Sequence, residues 1–273
     1  MKAYFLSDLH LGAPYFADSR ESEMRVVRFL DSIKDDADVI YLLGDILDYW
    51  YEYRYVVPRG FVRFFGKLAE LSDRGVRIVW FIGNHDIWIF DYLPAELGIE
   101  VVDGILEEEI DGRHFVMSHG DGIGKLKPSF KLLRRLFRSK TCQFLFSAIH
   151  PRWTVPFAYN WSRHSRKCEG PSEADAKRML RNVTDFSEEY LSLHPEVNYF
   201  LYGHLHLLRR YEIICKELKS KELKSEREGD GVIKKEREGG EAKAEIIILG
   251  EWINTYSYAL WDGKNLSLNK YEG

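Results

Sequence analysis

Residues 76–86 read VRIVWFIGNHD, a hydrophobic run that is followed at once by polar side chains. A short apolar run of this length is typical of a strand that is buried in a sheet. In open α/β sheets, ligands bind beyond the carboxyl ends of the strands. The stretch therefore predicts an α/β fold with Asn84 and His85 at a binding site.

Four other hydrophobic runs end in the same kind of residue. They are residues 3–6 before Asp8 and His10, 39–43 before Asp45, 115–117 before His119, and 199–202 before His204 and His206. Side chains alternate along an extended chain, so the two ligands of an Asp-x-His or His-x-His pair point to the same side. If the five strand tips share one edge, seven candidate metal ligands meet there: Asp8, His10, Asp45, Asn84, His119, His204 and His206.

Carboxylate oxygen, amide oxygen and imidazole nitrogen together suit manganese, iron, zinc or cobalt. Since none of the seven is a thiolate, a structural zinc site is not expected. Asp45 could bridge two ions that lie about 3.5–4 Å apart, an arrangement that activates water and neutralises phosphoryl oxygens. The pattern predicts hydrolysis of a phosphate ester. Each residue taken singly could instead be a satisfied polar group near a loop.

The bulk composition predicts one large globular domain over residues 1–273. Hydrophobic residues make up 45% of the chain and charged residues 30%, which is ordinary for a soluble protein. The net charge of −4 gives no overall case for a nucleic-acid partner. Three widely spaced cysteines indicate a reducing compartment. With neither a signal peptide nor an apolar stretch of about 20 residues, we expect a cytoplasmic protein.

Helix-like segments alternate with the predicted strands. Apolar residues recur at helical spacing in 20–33 and 61–71, and 173–193 also has a helical pattern. Strands are expected at 245–249 and 256–261, with a turn at Asp262 and Gly263. Strand and helix alternation favours an α/β sheet.

Residues 122–168 depart from this alternation. They contain eleven Lys and Arg residues and neither Asp nor Glu. Pro128 fits the first turn of a helix. Four basic residues then share one helical face and four apolar residues share another; they are Lys131, Arg134, Arg135 and Arg138, and Phe130, Leu133, Leu136 and Phe137. We interpret 122–168 as an inserted, basic, amphipathic helical lid.

A second insertion covers residues 216–245, with nine basic and nine acidic side chains. Such a segment has little apolar surface to bury. It is predicted to be a charged hairpin extension or a disordered loop, and we assign no catalytic role to it.

The five motifs together resemble the signatures of the calcineurin-like metallophosphoesterases. That resemblance implies a four-layer αββα sandwich with two divalent ions. One ion would take Asp8, His10, Asp45 and His206, and the other Asp45, Asn84, His119 and His204. His85 would lie near the leaving-group oxygen as an acid or charge stabiliser, oriented by Asp48, while Asp86 would fix its loop.

Three features further resemble one branch of this family, the UDP-2,3-diacylglucosamine diphosphatases of lipid A synthesis. They are SDLHLG at 7–12 with DYW at 48–50, HGD at 119–121 before the basic insertion, and SRHSRK at 162–167. The branch implies that a hydroxide activated by two metals, most often Mn²⁺, releases UMP and 2,3-diacylglucosamine 1-phosphate. It also implies peripheral binding to the inner face of the inner membrane.

The substrate contacts expected by analogy are Asn84, Asp121, Ser165 and Lys167, together with Arg134 and Arg138 of the lid. Nine apolar side chains could form a surface for two acyl chains: Phe130, Leu133, Phe137, Phe144, Leu145, Phe146, Trp153, Phe157 and Trp161. One departure stands out, because well-characterised members of the branch carry Arg where this chain has His85. The histidine restores the pattern of the wider superfamily.

Three alternatives stay open. The first is a metallophosphoesterase that acts on another phospholipid, a nucleotide or a phosphodiester. The second is a nucleic-acid-binding protein, because basic residues alternate with aromatic ones in 122–168. The third is a non-catalytic scaffold on the same fold, which the complete set of ligands disfavours.

Overall fold

The structure, a computed structural model, describes residues 1–167, 173–216 and 241–273; the side chains of 161–167 and 173 lie outside this description. The strands are β1 Ala3–Leu6, β2 Val39–Leu42, β3 Arg77–Phe81, β4 Glu100–Val102, β5 Ile105–Ile110, β6 Arg113–Ser118, β7 Val197–Tyr202, β8 Leu208–Cys215, β9 Ala242–Leu249, β10 Ser257–Trp261 and β11 Leu266–Lys270. The helices are α1 Ser19–Ser32, α2 Val62–Asp73, α3 Tyr92–Leu97, α4 Pro128–Arg138, α5 Lys140–Ser147, α6 Pro151–Lys167 and α7 Glu173–Leu193.

Two mixed sheets form the centre of the fold. The first has the order β11-β10-β1-β2-β3-β4 and the second the order β5-β6-β7-β9-β8. Strands β1 to β4 run parallel, as do β6, β7 and β9. Parallel strands need both faces covered, so their sequences are almost continuously hydrophobic.

Three buried clusters define four layers. Because side chains alternate along a strand, Phe5 packs between the two sheets, whereas Tyr4 and Leu6 pack beneath α1 and α2. On the outer face of the second sheet, Phe200 contacts the cluster that includes Val183 of α7. The predicted αββα sandwich is confirmed.

The expectation that five strand tips share one edge is wrong. Strands β1, β2 and β3 lie in the first sheet, while β6 and β7 lie in the second. The chain changes sheets between β4 and β5, where Gly104 has a φ of +122°. Continuous apolar runs look alike in either sheet, so the sequence could not divide them. The packing of the sheets brings both sets of tips together.

Most predicted elements are present with small changes at their ends. Helix α1 begins after Asp18, whose carboxylate accepts from the backbone N–H groups of Arg20 and Glu21. The predicted strands 245–249 and 256–261 correspond to β9 and β10. Strands β4, β5, β8 and β11 were not predicted. Of these, β8 is an edge strand that is largely exposed and therefore has no apolar run.

Residues 122–167, here called the helical insertion, contain three helices, α4 to α6. Pro128 lies in the first turn of α4, as predicted. The basic face of α4 is divided, because Arg134 and Arg138 are half-buried while Lys131 and Arg135 are exposed. Of the predicted charged segment 216–245, residues 217–240 lie outside the described residues. Its last part is β9, which pairs with β8 from Cys215 and Ala242 onward.

Candidate metal centre

Five of the seven candidate ligands have left-handed backbone conformations. The φ angles are 56° for Asp8, 46° for His10, 52° for Asp45, 65° for His204 and 53° for His206. Non-glycine residues adopt this region at a cost of about 1–3 kcal/mol each and cluster at functional sites. The tight turns after β1, β2 and β7 thus aim these side chains into one cleft.

Glycines next to the ligands allow the loops to approach each other. A Cβ on Gly83 would collide with the carboxylate and backbone nitrogen of Asp45, and one on Gly44 would lie 2.6 Å from His119 Nδ1. A Cβ on Gly203 would overlap Ser7 Oγ. Packing therefore requires glycine at the three positions that directly precede Asp45, Asn84 and His204.

The first ligand cluster contains Asp8, His10 and His206. His206 Nε2 lies 3.3 Å from Asp8 Oδ1 and 3.4 Å from His10 Nε2. Asp8 Oδ2 accepts hydrogen bonds from Ser7 Oγ at 2.6 Å and from the backbone N–H of His204 at 2.8 Å. Its buried Oδ1 receives no hydrogen bond within the described residues, which fits a metal ligand.

The second cluster contains Asp45, His119 and His204. His119 Nε2 lies 3.3 Å from Asp45 Oδ2 and 3.3 Å from Asn84 Oδ1. On the other side of the ring, His119 Nδ1 donates to the carbonyl oxygen of Leu43 at 2.8 Å. This bond orients the ring so that Nε2 faces the cluster. Burial lowers the pKa of His119, but Asp45, Asp8 and Asp121 raise it to about 10, so a metal ion would have to displace a proton from Nε2.

Asp45 connects the two clusters. Its Oδ2 lies 3.3 Å from His119 Nε2 and 3.9 Å from His10 Nε2, while its Oδ1 accepts from the backbone N–H of His85 at 2.8 Å. The arrangement suits a carboxylate that bridges two cations. Four ligands come from loops of the first sheet and three from loops of the second; these are Asp8, His10, Asp45 and Asn84, and His119, His204 and His206.

The electrostatics of the cleft favour cations. Burial raises the pKa of the Asp8 carboxyl, but His206 and His10 hold it below its usual range. Burial likewise opposes ionisation of Asp45, and His119 and His85 hold its pKa well below its usual range. Burial and the neighbouring His119 lower the pKa of His204 to about 4. The carboxyl groups are therefore ionised and His204 is neutral near pH 7, the forms that bind metal.

His85 and Asp48 are adjacent, as predicted from the resemblance. His85 Nδ1 donates to the backbone carbonyl of Asp48 at 3.0 Å and lies 3.4 Å from its Oδ1. Burial lowers the pKa of His85, but Asp45 and Asp48 raise it to about 9. Asp48 Oδ1 also lies 3.5 Å from His10 Nδ1, so one carboxylate supports both imidazoles.

Asp86 holds the loop rather than facing the cleft. It accepts from the backbone N–H groups of Gly83 and Ile46, at 2.8 Å and 3.0 Å, and from Trp80 Nε1 at 3.2 Å. Burial and the nearby Asp45 raise its pKa to about 6. Its contacts tie the β3 loop to the β2 loop.

The sequence profile of the calcineurin-like phosphoesterases matches residues 1–208. This chain belongs to that family. A protein from Porphyromonas gingivalis named UDP-2,3-diacylglucosamine hydrolase is 38% identical over 288 aligned positions, covering 99% of this chain and 98% of its own. A Ralstonia nicotianae protein of the same name is 26% identical, over 74% and 76%. A solved phosphoesterase from E. coli covers 99% of this chain and 93% of its own, with 15% identity and a TM-score of 0.43.

The family and its hydrolase-named members identify this phosphoesterase as a metal-dependent hydrolase. The two ligand clusters are where its residues could hold divalent ions. Within the described residues, no helix combines the length and apolar character needed to cross a membrane.

A cavity of about 660 Å³ opens between the candidate centre and the helical insertion. Asp48, Asn84 and His85 form its inner end, and Asp121 also borders it. We call it the apolar cavity, because five of the nine predicted acyl-binding side chains line it: Phe130, Leu133, Phe137, Phe146 and Phe157. Phe144, Leu145 and Trp153 are instead exposed by 74%, 62% and 68%, and the side chain of Trp161 lies outside the described residues.

The predicted substrate contacts are placed unequally. Arg134 lines the apolar cavity and its Nε donates to Asp121 Oδ2 at 3.0 Å. Arg138 instead pairs with Asp103 at 2.6 Å and does not line the cavity. The side chains of Ser165 and Lys167 lie outside the described residues.

Two residues that the sequence did not single out for a role attach the helical insertion to the sandwich. Trp88 Nε1 donates to the carbonyl oxygen of Phe137 at 2.9 Å, and Tyr51 Oη donates to that of Gln143 at 2.6 Å. Both follow ligand loops closely in sequence. Their partners lie 49 and 92 residues away, so no local spacing could have connected them.

Proposed function

We propose that the protein hydrolyses the pyrophosphate bond of UDP-2,3-diacylglucosamine, giving UMP and 2,3-diacylglucosamine 1-phosphate. The observation that carries this proposal is the apolar cavity, which adjoins Asn84 and His85. Similarity supports it as well, because the Porphyromonas gingivalis protein named UDP-2,3-diacylglucosamine hydrolase is 38% identical over nearly the full length of this chain. A soluble nucleotide or phosphoprotein substrate would not need a cavity of this kind at the centre.

The cavity fits the lipid half of such a substrate. Small-molecule sites range over roughly 300–1,000 Å³ and are mostly apolar with a few polar groups, and this one is about 660 Å³. Aromatic side chains of α4, α5 and α6 form its wall. The helical insertion would therefore act as a lid that covers the acyl chains.

The centre would position the phosphates between its two clusters. Two divalent ions held there, which we propose to be manganese, would activate water and neutralise the charge on the phosphoryl oxygens. Asp45 would bridge them, with Asp8, His10 and His206 on one side and Asn84, His119 and His204 on the other. Asp8 and Asp45 are ionised in this cleft and so offset the positive charge.

His85 would act on the leaving group. Its Nδ1 is engaged by Asp48, which leaves Nε2 as the ring atom available to the substrate. Because its pKa is raised to about 9, the imidazole holds a proton near pH 7. His85 lines the apolar cavity, so that proton would reach the departing oxygen of the lipid 1-phosphate.

Arg134 and Asp121 would form the polar rim of the lipid site. Their ion pair lies at the border of the apolar cavity, where the sugar and its phosphate would pass. Arg134 could give up its hydrogen bond to Asp121 and donate to a phosphate oxygen instead. We assign Arg138 a supporting role at the rim, and Ser165 and Lys167 remain contacts proposed from resemblance alone.

Peripheral membrane binding is proposed from the outer surface of the insertion. Leu132, Phe144 and Trp153 are exposed, and the exposed Lys131 and Arg135 lie on the same helix as Leu132. Basic amphipathic helices of this kind enter the membrane interface, where a diacylated substrate resides. This would place the enzyme at the inner face of the inner membrane.

The deciding experiment is an assay of UMP release with manganese present. The protein is incubated with UDP-2,3-diacylglucosamine and, separately, with UDP-N-acetylglucosamine. We expect release from the diacyl substrate alone, because only that substrate fills the apolar cavity. Turnover of a generic phosphodiester with release from neither UDP-sugar would leave the metal centre in place and reject the proposed substrate.

A further inference from the structure

A second cavity of about 400 Å³ borders the candidate centre at His204. Gly120, Asp121 and His204 form its inner end, and α7 supplies its outer wall through Arg178, Met179 and Asn182. We call it the polar cavity. It shares only Asp121 and Phe130 with the apolar cavity, so the two border different ligands of the centre, Asn84 for the apolar cavity and His204 for the polar one.

The charge on this second cavity differs from that of the first. Lys125, Lys127 and Arg178 line it. Of its two carboxylates, Asp121 is paired with Arg134, which does not line this cavity. Asp175 is shared by Lys127 at 3.0 Å and Arg178 at 2.6 Å. Three cations therefore face one shared carboxylate, an arrangement that attracts an anion.

The remaining wall suits a flat ring. Ile123, Leu126 and Met179 are apolar, Phe130 offers an aromatic face, and Asn182 contributes an amide that can both donate and accept hydrogen bonds. Asn182 is held in place because its Nδ2 donates to the carbonyl oxygen of Lys125 at 3.3 Å. A cavity that combines cations, an apolar wall and an amide matches a nucleotide better than an acyl chain.

We propose that the polar cavity binds the nucleoside monophosphate half of the substrate, with Arg178 and Lys125 as contacts of its phosphate and ribose. This inference rests on the proposed function, since a substrate whose pyrophosphate lies at the centre must extend its lipid and its nucleotide into different spaces beside it. The lipid lies beside His85 and the nucleotide beside His204.

The test is calorimetric titration of the manganese-loaded, full-length protein with UMP and, separately, with inorganic phosphate. Arg178→Ala should weaken UMP binding about tenfold, the usual effect of losing a charge-assisted contact. It should leave phosphate binding within about twofold of the parent protein, because phosphate can be held by the metals alone. Arg181→Ala is the matched control, since Arg181 is exposed on the same helix and does not line the cavity.

A second variant, Leu126→Trp, would fill the cavity without changing its charge and should also weaken UMP more than phosphate. Unchanged UMP affinity in both variants, equal weakening of UMP and phosphate, or no UMP binding by the parent protein would overturn the assignment. The titration uses no lipid. If the lipid substrate is not hydrolysed but Arg178→Ala still weakens UMP binding, the proposed function fails and the nucleotide site stands. If the lipid substrate is hydrolysed but UMP binding is unchanged in the variants, the proposed function stands and the nucleotide site fails.

Discussion

Asp45 is the residue on which both ligand clusters depend. Its Oδ2 lies within 3.9 Å of a histidine of each cluster, and replacement by alanine removes the only carboxylate placed between them in the described site. We expect Asp45→Ala to lower turnover of a small phosphodiester by about 100-fold or more, because the ions that Asp45 would hold are lost and no longer neutralise the phosphoryl oxygens. Steady-state kinetics measure the turnover, and metal analysis measures the number of ions bound per chain.

The control is Asp73→Ala, which removes an exposed carboxylate at the end of α2 and should leave both quantities unchanged. Retention of two ions per chain and near-normal turnover in Asp45→Ala would show that Asp45 is not a bridge.

A substitution of Gly203 tests whether close packing shapes the ligand loops. A Cβ there would overlap Ser7 Oγ and lie 2.9 Å from Asp8 Oδ2, so Gly203→Ala must displace a ligand or its support. We expect a loss of about 1–3 kcal/mol in unfolding free energy, measured by chemical denaturation, together with weaker metal binding. Gly66→Ala in α2 is the matched control, since a Cβ there meets nothing within 4 Å and should stabilise the helix slightly.

The sequence predicted which side chains meet because each ligand directly follows a buried run. It could not predict the left-handed φ of residues such as His10 and His204, since those angles arise where loops of different sheets press together. It also placed Arg134 and Arg138 on one face with a common role. Only tertiary contacts reveal that Asp121 engages the first and Asp103 the second.

At the scale of elements, the helical insertion gives a prediction that separates substrate binding from chemistry. Phe157 of α6 lines the apolar cavity and is 61% exposed, so Phe157→Asp should fold normally while placing a charge beside the acyl chains. We expect KM for the diacyl substrate to rise about tenfold, because an ionised carboxylate opposes burial of an apolar chain. Turnover of a small phosphodiester should not change.

Val62→Asp serves as the control, because Val62 is 75% exposed at the start of α2 and lies away from the cavity. Equal loss with both substrates in Phe157→Asp would mean that α6 supports the centre rather than the lipid.

Elements with continuous apolar runs were predictable and edge strands were not. The core strands β1, β2, β3, β6 and β7 are buried almost throughout. Strand β5, by contrast, alternates exposed and half-buried residues over a Glu-rich sequence. The division of the core strands between two sheets depends on one change of sheet after β4, which leaves no periodic signal in the sequence.

At the scale of the whole molecule, the candidate centre joins the two sheets. Asp8, His10 and Asp45 project from the first sheet, while His119 and His204 project from the second. Ions held between them would stabilise the folded state and link the two layers. At a free metal concentration about 100 times Kd, a ligand specific to the folded state adds about 2.7 kcal/mol.

Removal of metal by a chelator should accordingly lower Tm, and added Mn²⁺ should restore it in a concentration-dependent way, as measured by calorimetry. The same titration with His206→Ala should give a smaller shift, because one of the three ligands of the first cluster is lost. His194→Ala is the control, since His194 at the end of α7 belongs to neither cluster and should shift like the parent protein. A Tm that does not respond to metal would show that the clusters do not join the sheets through bound ions.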